Sequence, residues 1–184
     1  MKIGIVGAGF VCDYYLSTLP MPPELEVVGI TDQLPERSDK VGRHYGVARY
    51  DSVDSLLRNA DIGLVLNLTN PRDHYAVSAA ALAAGKHVYS EKPLAMEFAD
   101  AQRLYEQAKS AKRLLVSAPC SLLGETAQTM WRALRERAVG RVRLVYAEMD
   151  DGLVHRMPYR QWQSTNGLPW PYRDEFEVGC TLEH

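Results

Sequence analysis

The chain has 184 residues, more than one ordinary domain needs and too few for two large ones, and 46% of them are hydrophobic, which supplies a sizeable core. Lys and Arg number 21 against 23 Asp and Glu, for a formal charge of −2 with no basic block; nucleic acid and anionic membrane surfaces are therefore disfavoured as partners, because there is no cationic face to release their counterions. No stretch of about 18 uncharged apolar residues is present, which excludes a spanning helix, and three dispersed cysteines, Cys12, Cys120 and Cys180, without CxxC or zinc spacing, point to a reducing, cytoplasmic compartment and to no metal site.

In chain order, short β-rich runs alternate with helical periodicity through the first 120 residues. Strands are predicted near 2–6, 25–31, 47–50, 62–68, 87–90 and 113–118, and helices near 11–19, 35–45, 52–59, 73–84 and 97–111. Pro35 suits a first helical turn, Ser52 an N-cap, and Gly85 the position just past a helix. Such alternation predicts an α/β fold, a doubly wound parallel sheet whose crossovers open a crevice at the carboxyl ends of the strands. After Pro119 a helix is expected near 122–138, ending at Gly140, then a long alternating strand over 141–149 and aromatic loop sequence to the end. A domain boundary is expected near 120, giving a nucleotide domain over 1–120 and, over 121–184, the start of a second domain.

Gly7-Ala8-Gly9-Phe10-Val11-Cys12 follows the apolar strand Lys2 to Val6 and opens a helix. This is nearly G-x-G-x-x-G: the first glycine permits the tight turn, the second lets a pyrophosphate approach the backbone, and the helix N-terminus offers N–H groups to the anion. That reading accounts for the glycines better than a signal peptide does. Cys12 stands at the third glycine position, where a small packing residue is expected rather than a reactive thiol. Asp32, 23 residues beyond Gly9 at the end of the second strand, can hydrogen-bond both ribose hydroxyls of an adenosine and would repel a 2′-phosphate unless a cation such as Arg37 compensates; NAD is preferred over NADP.

Polar residues also collect where the fourth and fifth strands end: Asn67-Leu68-Thr69-Asn70-Pro71-Arg72-Asp73-His74, and Tyr89-Ser90-Glu91-Lys92-Pro93-Leu94. Together with the glycine loop, these segments resemble the Gfo/Idh/MocA family of sugar and polyol oxidoreductases. The most specific piece is Ala84 to Ala95, which is similar to the family's AGKHVxxEKPxA segment. Thr69 to His74 resembles its loop after strand four, and Gly140-Arg141-Val142-Arg143 its turn into the second domain.

The resemblance implies an N-terminal Rossmann domain followed by an α+β domain, and hydride transfer between a nicotinamide and a secondary alcohol of a sugar or polyol. It implies that Lys92 hydrogen-bonds the reacting oxygen, that Glu91 orients this turn or contacts the nicotinamide side, and that His74, Thr69 and Asn70 line the cofactor crevice with Gly7, Gly9, Phe10, Val11 and Asp32. The family's proton-accepting histidine lies in the second domain, where the candidate stretch Gly179 to His184 offers only His184, and Leu182-Glu183-His184 also matches the residues that common expression vectors place before a histidine tag. The aromatic residues Tyr159, Trp162, Trp170 and Tyr172 are expected to pack the second domain rather than face a sugar. A homo-oligomer is expected as well. Two other readings stay open, a non-catalytic NAD(H)-binding module and a truncated, inactive family member; against a third, a methyltransferase using a similar glycine loop and ribose-binding acid, stands Glu91-Lys92-Pro93 in its full context.

Overall fold

A computed structural model describes residues 1–18, 23–118, 120–148 and 156–171. Its centre is a parallel sheet built from β1 (Lys2–Val6), β2 (Glu26–Thr31), β3 (Ala48–Arg49), β4 (Ile62–Asn67), β5 (His87–Ser90) and β6 (Leu115–Ser117), in the order β3-β2-β1-β4-β5-β6. Strand order reverses between β1 and β4, so the crevice predicted by the alternating pattern falls beside the glycine loop that leaves β1. The helices α1 (Phe10–Thr18), α2 (Pro35–Tyr45), α3 (Val53–Leu57), α4 (His74–Ala83) and α5 (Phe98–Ala111) form the crossovers.

Local signals explain the ends of these elements. Pro35 occupies the first turn of α2, and Gly46 closes that helix at φ 70°, a left-handed conformation that costs glycine nothing. Ser52 and Ser55 form a reciprocal capping box at the start of α3, each hydroxyl accepting the other's backbone N–H. β3 is only two residues long because it pairs only Gly29 with Ala48 and Ile30 with Arg49 at the sheet's edge, so the predicted run 47–50 is trimmed at both ends.

Alternation along the strands sorts the core onto two faces. Ile3, Ile5, Ile30 and Leu66 pack with Ala8, Cys12 and Val41 beneath α1 and α2. Val6, Val65 and Val88 pack with Leu56, Leu82 and Leu104 beneath α3, α4 and α5. Cys12 is fully buried, and burial, with the Asp13 and Asp32 carboxylates adding to it, pushes its thiol far up; this is the packing residue that its place in the glycine motif predicts.

The chain divides into two compact units. Residues 1–118 group with Tyr159 and the described residues after it, and 119–158 form the other unit. In the first, a 3-10 turn at Tyr159–Gln161 and one antiparallel bridge, Gln163 with Pro169, bring Asn166 and Leu168 onto the α1 and α2 face. Tyr159 stacks on Trp170 at 4.8 Å, with Trp162 edge-on, so these three rings pack one another.

In the second unit a 3-10 turn, Cys120–Leu123, precedes α6 (Glu125–Arg135), shorter at both ends than the predicted 122–138. Of the strand expected over 141–149, the described residues 141–148 form none: they carry no ladder hydrogen bonds, and Leu144 and Tyr146 are each more than 80% exposed. Alternation tells which side chains would share a face, but a strand exists only when a neighbour accepts its hydrogen bonds, and no described residue does so here.

Candidate cofactor and active site

Gly7 ends β1 at φ 98°, and a Cβ there would sit 2.5 Å from the backbone oxygen of Leu68. Only glycine fits this turn, on two independent grounds. Gly9 is the opposite case: a Cβ built on it meets nothing within 4 Å, because the residue faces open space. That space belongs to a cleft of about 540 Å³ lined by Gly7, Gly9, Asp32, Arg37, Thr69 and Asn70, among others, where β1, β2 and β4 end. A bare backbone beside a cleft, at the entrance to a helix, is what a pyrophosphate requires, so the residues present fit a dinucleotide.

Asp32 holds the loop in shape. Its Oδ2 accepts the Ala8 N–H at 2.7 Å and its Oδ1 the Leu34 N–H at 2.8 Å, which ties the glycine turn to the end of β2 while the half-buried carboxylate still borders the cleft. Phe10 and Val11 open α1 and are half-buried; Val11 packs into the core beneath α1 and α2.

On the other side of β1, the ends of β4 and β5 are joined by the polar residues that collect there in the sequence, through buried bonds of Asn67 that the pattern alone did not assign. Asn67 is fully buried: its Nδ2 donates to the His74 carbonyl at 2.9 Å and to the Ser78 hydroxyl at 3.0 Å, its Oδ1 accepts the Thr69 hydroxyl at 2.6 Å, and its backbone oxygen accepts the Glu91 N–H at 2.9 Å. The visible signal was an asparagine closing a strand otherwise made of Ile, Leu, Val and one glycine. Ser90, its neighbour across the ladder, is buried with a hydroxyl that has no hydrogen-bond partner among the described residues.

His74 is placed differently from expectation. It is 1% exposed and lies behind the cleft, with Nδ1 2.6 Å from the Pro93 oxygen and Nε2 2.9 Å from the Thr69 oxygen. It therefore bridges the loop after β4 to the turn after β5, and does not line the crevice itself. The turn follows Ser90: Glu91 and Lys92 are half-buried, the Lys92–Pro93 peptide bond is cis, and the Glu91 carboxylate accepts the Tyr15 hydroxyl at 2.5 Å and the Lys92 N–H at 3.1 Å. His184 lies outside the described residues, as do Cys180 and Tyr172.

The profile of the oxidoreductase family with an NAD-binding Rossmann fold, Gfo/Idh/MocA, matches residues 1–118. The chain belongs to this family. Curated members similar to it include inositol 2-dehydrogenase of Salmonella typhimurium, 33% identical over 119 residues, with 62% of this chain and 35% of that protein covered. Another is trans-1,2-dihydrobenzene-1,2-diol dehydrogenase of Oryctolagus cuniculus, 25% identical over 166 residues, with 89% and 50% covered. Among solved structures, biliverdin reductase of Synechocystis sp. PCC 6803, in complex with biliverdin and NADP+, superposes with a TM-score of 0.63 at 30% identity over 73% of this chain and 42% of that one. The WlbA dehydrogenase of Chromobacterium violaceum, in complex with NADH and UDP-GlcNAcA, gives 0.71 at 25% identity over 77% and 41%. The chain thus spans at most about half the length of these relatives.

Among the described residues no helix is long and apolar enough to cross a membrane.

Proposed function

We propose that this Gfo/Idh/MocA chain acts as the nucleotide-binding part of a dehydrogenase that transfers a hydride between NAD and a secondary alcohol carbon of a sugar or polyol. One observation carries the reading: the sheet brings the glycine loop, Asp32 and the Glu91-Lys92 turn to the carboxyl ends of neighbouring strands in one body, with an open backbone at Gly9. The nicotinamide, when bound, supplies the hydride acceptor or donor; everything else falls to the protein. Gly7 and Gly9 admit the pyrophosphate, Asp32 faces the ribose hydroxyls and favours NAD over NADP, and Arg37, a cation among the described residues lining the same cleft, could offset that preference.

Lys92 donates a hydrogen bond to the reacting oxygen and stabilises the negative charge that develops there, while a separate group takes the hydroxyl proton. The unit of residues 119–158, where 121–184 was expected, contributes the beginning of a substrate and oligomerisation domain, with His184 as the candidate base, in a cytoplasmic homo-oligomer. Inositol 2-dehydrogenase and the dihydrodiol dehydrogenase, as relatives, support a cyclic vicinal diol or polyol as the substrate class.

The test is a fluorescence titration of the full chain with NADH and separately with NADPH, followed by turnover of myo-inositol with NAD. Tighter binding of NADH and loss of turnover in Lys92→Met at unchanged NADH affinity are the expected results. Binding without turnover in the unaltered chain would favour a non-catalytic NAD(H)-binding module, and no binding of either nucleotide would overturn the reading.

A further inference from the structure

The helix that starts at the glycine loop also reaches the lysine turn. Tyr15, in the second turn of α1, lies against Tyr89 of β5 with ring centroids 6.3 Å apart, and its hydroxyl donates to Glu91 Oε1 at 2.5 Å while standing 3.3 Å from the Tyr89 hydroxyl. The other carboxylate oxygen of Glu91 accepts the Lys92 backbone N–H at 3.1 Å. One carboxylate is thus shared between a side chain of the cofactor-loop helix and the backbone of the residue assigned to the reacting oxygen. Burial, reinforced by the hydrogen bond to Glu91, pushes the Tyr15 phenol far up, so it remains a donor across the working pH range.

We infer that Tyr15 is a positioning residue: its hydroxyl fixes the Glu91 carboxylate, and through it the Lys92 turn, in register with the glycine-loop helix. The inference rests on the function proposed above, since it gives the bond its purpose. Hydrogen bonds to a charged acceptor are among the stronger ones, and this one spans two elements 76 residues apart in sequence. Without it, Glu91 is free to rotate away and the Lys92 amide loses its acceptor. A dinucleotide seated on the glycine loop would restrain α1 and, by the same bond, the lysine turn, so that cofactor binding tightens the site one strand beyond the cleft.

The experiment follows amide hydrogen exchange of the full chain at single-residue resolution, with and without NADH. In the cofactor-free chain Tyr15→Phe is expected to speed exchange of the Lys92 amide by about tenfold or more, leaving the Leu82 amide in α4 unchanged. In a Glu91→Ala background, where the acceptor is already gone, Tyr15→Phe is expected to add nothing. NADH is expected to slow Lys92 exchange in the unaltered chain and to leave it unchanged in Tyr15→Phe at similar NADH affinity. Equal Lys92 rates in the unaltered chain and Tyr15→Phe, equal acceleration in both Glu91 backgrounds, or uniform acceleration that includes Leu82 would each overturn the positioning role. Failure of NADH to bind would count against the cofactor reading alone, because the cofactor-free comparison still decides whether the hydroxyl holds the turn.

Discussion

Gly7 and Gly9 should separate folding from cofactor binding when each is replaced by alanine. In Gly7→Ala the residue is held at φ 98°, a conformation that costs an L-residue roughly 1–2 kcal/mol. The new methyl would also lie 2.5 Å from Leu68 O and 2.7 Å from Thr69 N, backbone atoms of the loop just past β4, where the Leu68 N–H donates to Val6 O at 2.8 Å, so relief requires moving that loop at a further cost of about 1–3 kcal/mol. The total, about 2–5 kcal/mol, corresponds to a fall in melting temperature of about 10 °C for a unit of this size. Gly9→Ala has neither problem, and its melting temperature should stay within about 2 °C. Its methyl would nevertheless project into the space where a pyrophosphate has to touch bare backbone, so NADH affinity should fall at least about tenfold. Thermal melts and NADH titrations on the two variants check both halves. Unchanged NADH affinity in Gly9→Ala would refute the placement of the pyrophosphate, and an unchanged melt in Gly7→Ala would refute the steric account of the turn.

Further outcomes follow from the same geometry. Burial alone would raise the Asp13 carboxyl, but hydrogen bonds from Ser164, from the Asn166 N–H and side-chain amide, and from the Tyr45 hydroxyl outweigh it and hold the group below its ordinary value. A lowered folded-state value means that Asp13 adds stability in full above the unfolded carboxylate range, near about pH 4, and that this is lost as pH falls through and below it. Urea midpoints of the unaltered chain and Asp13→Asn should therefore differ at pH 7 and converge as pH falls toward 3. Ser90→Ala removes a buried hydroxyl without a partner among the described residues and should be neutral or stabilising by up to about 1–2 kcal/mol in urea unfolding, where a clear loss would point to a hidden acceptor. Asp32→Ser should relax discrimination between the two nucleotides, with NADPH gaining affinity beside Arg37, as read by parallel titrations. Mass-spectrometric mapping after brief treatment with a thiol reagent at pH 8 should leave Cys12 unlabelled until the chain unfolds.

The parts of this molecule that sequence made visible are those encoded by local rules. Parallel strands buried on both faces read as apolar runs, and turns that demand glycine show it, so β1, Gly7, Gly9 and the acid after β2 were all recoverable. The Lys92 turn was recoverable only as part of a longer segment, since a single lysine after a strand says little. What stayed hidden depends on distant partners. Nothing near Asp13 announces that its acceptors will be filled by Asn166, 153 residues away, and nothing near Tyr15 announces Glu91. His74 was assigned to the crevice because of the loop it follows, yet its ring turns inward to two carbonyl oxygens, a choice of rotamer and neighbour that no spacing encodes. Over 141–148, part of the strand expected over 141–149, the reciprocal holds, a pattern present without a pairing neighbour among the described residues.

The position of β1 has a consequence for how the chain is made. Of the six strands of the sheet it is synthesised first, and it ends in the middle of the sheet, hydrogen-bonded to β2 on one side and β4 on the other. β2 is complete at Thr31, but β4 is not complete until Asn67, about 36 residues later. At translation rates of about 5–20 residues per second, the β4 side of β1 waits roughly 2–7 s with its backbone unpaired and Ile3 and Ile5 lacking Leu64 and Leu66, which share their core cluster. The nascent chain is most open to wrong strand pairing in that interval, and codon changes that slow synthesis between 32 and 67 would lengthen it.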